Sequence, residues 1–205
     1  HHLRVIMQTI TRESKHHWVQ LDFKVPIQDL LEEYFTLEIK EHRPEDGHSG
    51  WYGAIVYGTD DTRSHWETGK GEWRDCPKTR AFVASLPYSR IDQVRFLVLK
   101  AKGFIKEHID VPDRYWLDPL HIALTYPEEC VFYQDGIIPF APGKSFVVNI
   151  HYPHSVINNS NEDRIHLLVN GKKRKDFYDY AVAQRLESDY SLAKSEAYIP
   201  INLRR

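Results

Sequence analysis

The stretch KSFVVNIHYPHSVINNSNEDRIHLLVNG, residues 144–171, combines apolar β-type residues with polar turn residues. Runs rich in Val, Ile and Phe that are bounded by Gly, Pro, Asn and Asp are typical of short β-strands. Residues 144–158 and 164–171 therefore predict β structure, with the polar turn NSNED between them. His154 is expected to end one strand, and Arg164 to open the next.

Four further runs of the same kind precede this stretch. They are QVRFLVLKA, LHIALTY, CVFYQDG and IIPFAP, and they are separated by the turn signals Asp-Pro, Pro-Glu, Asp-Gly and Pro-Gly. Short strands at this spacing favour a jelly roll, which closes two sheets face to face and leaves few exposed edges. The predicted fold is mainly β (α+β overall), with a cupin-like double-stranded β-helix at about residues 90–171.

The flanking segments predict helices on the outside of this core. Pro26 is followed by IQDLLEEYFTLEIKEH, whose apolar residues form one helical stripe. KTRAFVASL predicts a short helix, and the tail KKRKDFYDYAVAQRLESDYSLAK predicts another. HHWVQLDFKV and GWYGAIVYG predict two additional strands. We therefore expect one domain over residues 1–205.

The overall composition argues against several function classes. A net charge of −2 over 205 residues shows no bias toward nucleic acid or an anionic membrane surface. No apolar run approaches the ~20 residues that a membrane helix needs. Cys76 and Cys130 lie in dissimilar contexts and predict no disulfide framework, so a cytoplasmic location is expected. His1 and His2 are read as the remnant of a purification tag.

A His-x-acid triplet, His108-Ile109-Asp110, follows a strand-like run. Side chains two residues apart on an extended backbone point to the same side and can share one metal ion. With 12 histidines and 29 acidic residues, such triplets also arise by chance, and the chain contains one other, His65-Trp66-Glu67. That second triplet lies in a charged segment typical of a solvated loop, so His65 is not expected to bind metal.

Alternation along two strands separates an apolar face from a polar face. In LHIALT the three aliphatic residues at positions 120, 122 and 124 share one face, and His121 lies on the other with Ala123 and Thr125. In RIHLLV, Arg164 and His166 share a face. Burying an unpaired arginine is costly, so that face is expected to meet either water or an anionic ligand.

His154 and Arg164 flank the polar turn, and a hairpin there would hold both side chains in one cleft, since adjacent strands lie ~4.8 Å apart. With His108 and Asp110, His154 would complete a 2-His-1-carboxylate set. This set is typical of non-haem Fe(II) oxygenases and leaves coordination positions open. The planar guanidinium of Arg164 suits a ligand carboxylate. The pattern predicts a metal-bound 2-oxo acid whose far carboxylate contacts Arg164.

The region from about Arg95 to Gly171 resembles the aspartyl/asparaginyl β-hydroxylase family of Fe(II)/2-oxoglutarate-dependent dioxygenases, near the bacterial proline cis-4-hydroxylases. The motifs that carry the resemblance are VRFLVLKAKGFIKEHID, LDPLHIALTYPEECVF, IPFAPGKSFVVN and HSVINNSNEDRIHLLVNG. Upstream, WRDCPKTRAF and LPYSRIDQVRF are also similar to the family.

The resemblance implies a hydroxylase that uses Fe(II), 2-oxoglutarate and O₂. It implies that the iron ligands are His108, Asp110 and His154. It also implies that Arg164 binds the C5 carboxylate of 2-oxoglutarate. The expected substrate is an amino-acid side chain, either free or in a peptide.

Two more histidines are candidates for cosubstrate binding. His121 lies where family members often place a histidine or asparagine near 2-oxoglutarate, and His166 shares a strand face with Arg164. The chain departs from the pattern at Pro119, where some members carry an arginine. A second cationic contact to 2-oxoglutarate is therefore missing or comes from elsewhere.

Other candidates rest on position alone. Polar residues that could line the site or its entrance are Ser145, Asn149 and His151, and aromatic residues that could line a substrate pocket are Trp116, Phe132 and Tyr133. Two alternative functions stay open: a non-catalytic jelly-roll module with a structural ion, and a zinc or manganese enzyme on a cupin-like roll. Structural zinc sites close at four ligands, so open positions beside an arginine argue against the first.

Overall fold

The computed structural model describes residues 18–58, 72–110, 119–134, 136–150 and 152–182. These ranges contain two α-helices, α1 (Ile27–Tyr34) and α2 (Pro77–Ser85), and short 3₁₀ turns at Pro44–Asp46 and Phe177–Tyr180. The strands are β1 (Trp18–Leu21), β2 (Lys40–Glu41), β3 (Ser49–Tyr57), β4 (Tyr88–His108), β5 (Leu120–Thr125), β6 (Cys130–Tyr133), β7 (Ile137–Ile138), β8 (Ser145–Val148), β9 (His154–Asn158) and β10 (Arg164–Lys173).

The strands form one antiparallel sheet in the order β1-β8-β5-β10-β4-β9-β6-β7, with β3 along the other edge of β4 and β2 beyond it. Strands β1 to β3 therefore extend the sheet beyond the core expected at residues 90–171. Strand β10 pairs with the first part of β4, up to Leu99, while β9 pairs with the last part, from Phe104 to His108. The sheet thus folds into two halves that share β4, which is the jelly roll expected from the sequence.

The long strand β4 bends between these two halves. Lys102 has a left-handed φ of 63°, a conformation that is costly for a residue with a side chain. At Gly103 a Cβ atom would lie 2.7 Å from the carbonyl oxygen of Ser49, so the neighbouring strand leaves no room for a larger residue. The bend separates the part of β4 that pairs with β10 from the part that pairs with β9 and carries His108.

The connection between β9 and β10 corrects one expectation. His154 begins a strand instead of ending one, and β9 and β10 do not form a hairpin; both pair with β4 and lie end to end along it. The fully buried side chain of Asn158 explains this arrangement. Its amide donates to the carbonyls of Leu99 and Glu162, and its oxygen accepts from Ser160, so the turn is tied to β4 at the bend.

Two apolar clusters lie on opposite faces of the sheet. The outer cluster joins the helices to the aliphatic residues of β5 at positions 120, 122 and 124, as alternation predicts. The inner cluster fills the roll with large side chains that include Trp51, Phe132, Phe140 and Phe146.

Cys76 and Cys130 are buried free thiols. Neither α-helix in the described ranges has the length and apolar character needed to cross a membrane.

Two helix predictions were wrong in extent. Helix α1 ends at Tyr34, because Lys40–Glu41 pairs with β3 and sheet pairing overrides the apolar stripe. In the tail, β10 continues to Lys173 by pairing with β4, and the chain then forms a 3₁₀ turn at Phe177–Tyr180. The rest of the predicted C-terminal helix, residues 183–194, lies outside the described residues.

Glu33 on α1 caps the amino end of α2. Its buried carboxylate accepts hydrogen bonds from the backbone N–H groups of Lys78 and Thr79 and from the Thr79 hydroxyl, at 2.6–2.8 Å. Glu33→Ala would leave these donors unsatisfied, so we expect it to lower the free energy of unfolding by about 2–4 kcal/mol. Chemical denaturation measures the change.

Glu32→Ala is the matched control on the same helix. Glu32 forms an exposed ion pair with Lys78 at 2.7 Å, and because solvent screens such pairs, its loss should change the free energy of unfolding very little. Equal losses of stability in the two variants would contradict the capping role of Glu33.

Candidate functional site

Three potential metal ligands meet where the end of β4 pairs with the start of β9. His108 is the last residue of β4, His154 is the first of β9, and the two are direct partners in the strand register. Asp110 follows two residues after His108, and its backbone N–H donates to the carbonyl of Ile150 at 2.9 Å. The pairing of β4 with β9 therefore brings together residues that are far apart in the sequence.

The donor atoms of the three side chains face one another. Oδ2 of Asp110 lies 3.5 Å from Nε2 of His108 and 3.4 Å from Nε2 of His154. The Nδ1 atoms of His108 and His154 lie 2.7 and 2.8 Å from the carbonyls of Lys106 and Tyr152, so each ring donates from Nδ1 and directs Nε2 toward Asp110. Metal-binding histidines commonly have this outer partner.

The donor set fits a divalent metal ion. Nε2 of His108 is buried and makes no hydrogen bond. Burial acts to raise the pKa of Asp110, but its contacts with His108 and His154 hold that pKa well below the usual value, so the carboxylate is ionised. Two imidazoles and one carboxylate are the set that Fe(II) oxygenases use. Among the described residues, this is the one such group of three.

Arg164 lies deeper in the roll, at the start of β10. Its side chain is 1% exposed, its Nη1 lies 3.2 Å from Nδ1 of His166, and its Nε has no hydrogen-bond partner. No carboxylate in the described part of the chain forms an ion pair with it; Asp163 instead contacts Lys100 at 2.8 Å. A buried guanidinium without a counter-charge is suited to an anionic ligand.

His121 and His166 lie beside Arg164 and are neutral. Burial, followed by the nearby guanidinium, holds the pKa of each far below the usual value. Their Nδ1 atoms lie 3.5 Å apart, and Nε2 of His166 has no hydrogen-bond partner. The structure thus brings together the two histidines and the arginine that the sequence suggested for cosubstrate binding.

Aromatic rings connect the metal ligands to this deeper group. Phe132 stacks on His154, with ring centroids 6.1 Å apart, and meets the ring of His121 edge-on at 5.7 Å. Phe140 lies 4.7 Å from His166. A chain of ring contacts therefore runs from His154 through Phe132 to His121, and from there to His166.

Sequence reasoning missed Tyr126, which stacks on His166 with centroids 5.7 Å apart. Simple alternation would place Tyr126 on the outer face with Leu124. A register shift between Ile165 and His166, opposite the end of β5, brings it to the inner face instead. Alternation cannot predict such a shift.

The candidates that rest on position alone differ in burial, and some of them lie outside the described residues. Ser145 and Asn149 are fully buried, and Phe132 lies inside the roll, whereas Tyr133 is 47% exposed. Trp116, His151 and the histidine of the second triplet, at position 65, lie outside the described residues.

A cleft of about 580 Å³ reaches Asp110 through one of its lining residues, Arg43. His42, Arg43 and Arg95 line it, and Nη1 of Arg43 lies 2.8 Å from Oδ1 of Asp110. Burial, with Arg95 and Arg43, lowers the pKa of His42 to about 3. Sequence reasoning also missed Arg43, since HRPEDG reads only as a turn.

The sequence profile of the aspartyl/asparaginyl beta-hydroxylases matches residues 24–174. The chain belongs to this family. It is therefore a 2-oxoglutarate-dependent hydroxylase, which confirms the resemblance. A search of curated proteins found no significant match.

Solved structures share the fold of this hydroxylase. A 2OG-Fe(II) oxygenase family protein from Burkholderia pseudomallei has a TM-score of 0.56 at 14% identity, covering 84% of this chain and 92% of that chain. A prolyl hydroxylase from Trichoplax adhaerens has a TM-score of 0.52 at 12% identity, covering 95% and 94%. A Pseudomonas putida prolyl-4-hydroxylase has a TM-score of 0.50 at 14% identity, covering 84% and 99%. At these identities the likeness concerns the fold.

Proposed function

We propose that this hydroxylase acts on an unactivated C–H bond of an amino-acid side chain, either free or in a peptide. The family is described by its action on aspartyl and asparaginyl residues. The similar Trichoplax enzyme was solved with a peptide fragment of the hypoxia inducible factor. Both observations support an amino-acid substrate.

The observation that carries the proposed site is the convergence of Nε2 of His108, Nε2 of His154 and Oδ2 of Asp110. These atoms would hold Fe(II). The bound metal supplies the redox chemistry that couples O₂ and 2-oxoglutarate to oxidation of the substrate. The protein side chains orient the reactants and exclude water.

Arg164 binds the C5 carboxylate of 2-oxoglutarate in this proposal. The guanidinium is buried, and its Nε is available to a ligand. His121 and His166 are neutral, so they can contact the cosubstrate without adding charge. The aromatic interior between Arg164 and the metal ligands keeps water away from the reacting atoms.

The cleft beside Asp110 is the proposed substrate site. It adjoins the metal ligands through Arg43 and has a volume of about 580 Å³, within the range of small-molecule and side-chain pockets. Its lining residues are distinct from those proposed to bind 2-oxoglutarate. Substrate and cosubstrate can therefore be bound at the same time.

A mass-spectrometric screen tests the proposed activity. Amino acids and peptides are incubated with the protein, Fe(II) and O₂, with and without 2-oxoglutarate. We expect one candidate to gain a single oxygen atom only when 2-oxoglutarate is present, with matching succinate. Oxidation without 2-oxoglutarate, or product from the Asp110→Ala variant at the wild-type rate, would contradict the proposal.

A further inference from the structure

Arg43 contacts the candidate metal ligand Asp110. Its Nη1 lies 2.8 Å from Oδ1 of Asp110, whereas Oδ2 faces the two histidines. The arginine therefore engages the carboxylate oxygen that points away from the histidines. The two residues are 67 positions apart in the sequence.

The backbone around Arg43 is held in an uncommon conformation. Arg43 has a left-handed φ of 49°, a conformation that is costly for a residue with a side chain. Its Nε bonds to Asp46 in the following turn, and its guanidinium lies 5.8 Å from the centroid of Trp51. Such strain persists only where surrounding contacts hold it.

We propose that Arg43 is a positioning residue for Asp110. By holding Oδ1, the guanidinium orients the carboxylate so that Oδ2 stays between the Nε2 atoms of His108 and His154. This role rests on the proposed metal site. Arg43 also lines the cleft, so this one side chain contacts a proposed metal ligand and borders the proposed substrate site.

Metal affinity tests this role without requiring turnover. Mn(II) is titrated calorimetrically into wild type, Arg43→Ala, Arg43→Gly and Arg43→Lys. Loss of an outer partner typically weakens metal affinity roughly 10- to 100-fold, and we expect this loss in the alanine and glycine variants. Lysine keeps one donor and the charge, so its affinity should be intermediate.

Arg174→Ala is the matched control, since Arg174 is an exposed arginine that also pairs with an aspartate, Asp176, and does not line the cleft. It should bind Mn(II) like wild type. The glycine variant separates the side chain from the backbone, because glycine adopts a positive φ without strain.

Wild-type affinity in Arg43→Ala would overturn the proposal. Loss of affinity in Arg43→Ala together with wild-type affinity in Arg43→Gly would also overturn it. The backbone conformation at residue 43, and not the side chain, would then explain the loss. A lower melting temperature with unchanged Mn(II) affinity would show a purely structural role. If wild type itself failed to bind Mn(II), the proposed metal site would fall first, and this role with it.

Discussion

Alanine at His108, Asp110 or His154 is expected to abolish metal binding and turnover. Each change removes one of three converging donor atoms, so the loss should exceed the roughly 10- to 100-fold effect of removing an outer partner. The three residues lie at or just beyond strand ends, so the fold should be retained. Calorimetric titration with Mn(II) measures binding, and circular dichroism checks the fold.

His65→Ala is the control for this prediction. It changes the histidine of the second His-x-acid triplet, which the sequence places in a solvated segment. Its metal affinity should match wild type. Unchanged affinity in all three single variants of the proposed ligands would show that the ligands are misassigned.

Replacement of Arg164 is expected to impair 2-oxoglutarate use selectively. Truncating one partner of a buried charge pair costs ~2–5 kcal/mol, or roughly 30- to several-thousand-fold in affinity. The KM for 2-oxoglutarate should rise in the order wild type, Arg164→Lys, Arg164→Ala, while metal affinity stays close to wild type. The difference in KM between wild type and Arg164→Ala should be smaller for a 2-oxo acid that lacks the distal carboxylate.

Thermal stability separates this role from a structural one. Arg164 is buried without a carboxylate partner in the described part of the chain, so Arg164→Met should leave the melting temperature at or above that of wild type. A structural ion pair would instead give a lower melting temperature with an unchanged KM. That result would remove the proposed cosubstrate contact.

Local sequence signals were sufficient to predict the jelly roll and the candidate ligands. Strand alternation placed Arg164 and His166 on one face, and both lie inside the roll. The spacing of His108 and Asp110 placed both on one side of the chain. These features depend on a period of two along a strand, which a sequence displays directly.

Features that depend on distant pairing were not predictable in the same way. The hairpin expected between His154 and Arg164 does not form, because both strands pair with the bent strand β4. Tyr126 reaches the inner face through a register shift, and Arg43 reaches Asp110 across 67 positions. Such contacts depend on the three-dimensional course of the chain.

Binding of 2-oxoglutarate with and without Mn(II) tests the central claim most directly. If Arg164 and the three ligands form one site, each chain should bind one 2-oxoglutarate, and Mn(II) should strengthen that binding. By thermodynamic linkage, 2-oxoglutarate should strengthen Mn(II) binding by the same factor. Equal 2-oxoglutarate affinity with and without the metal, or no binding in its presence, would contradict the account.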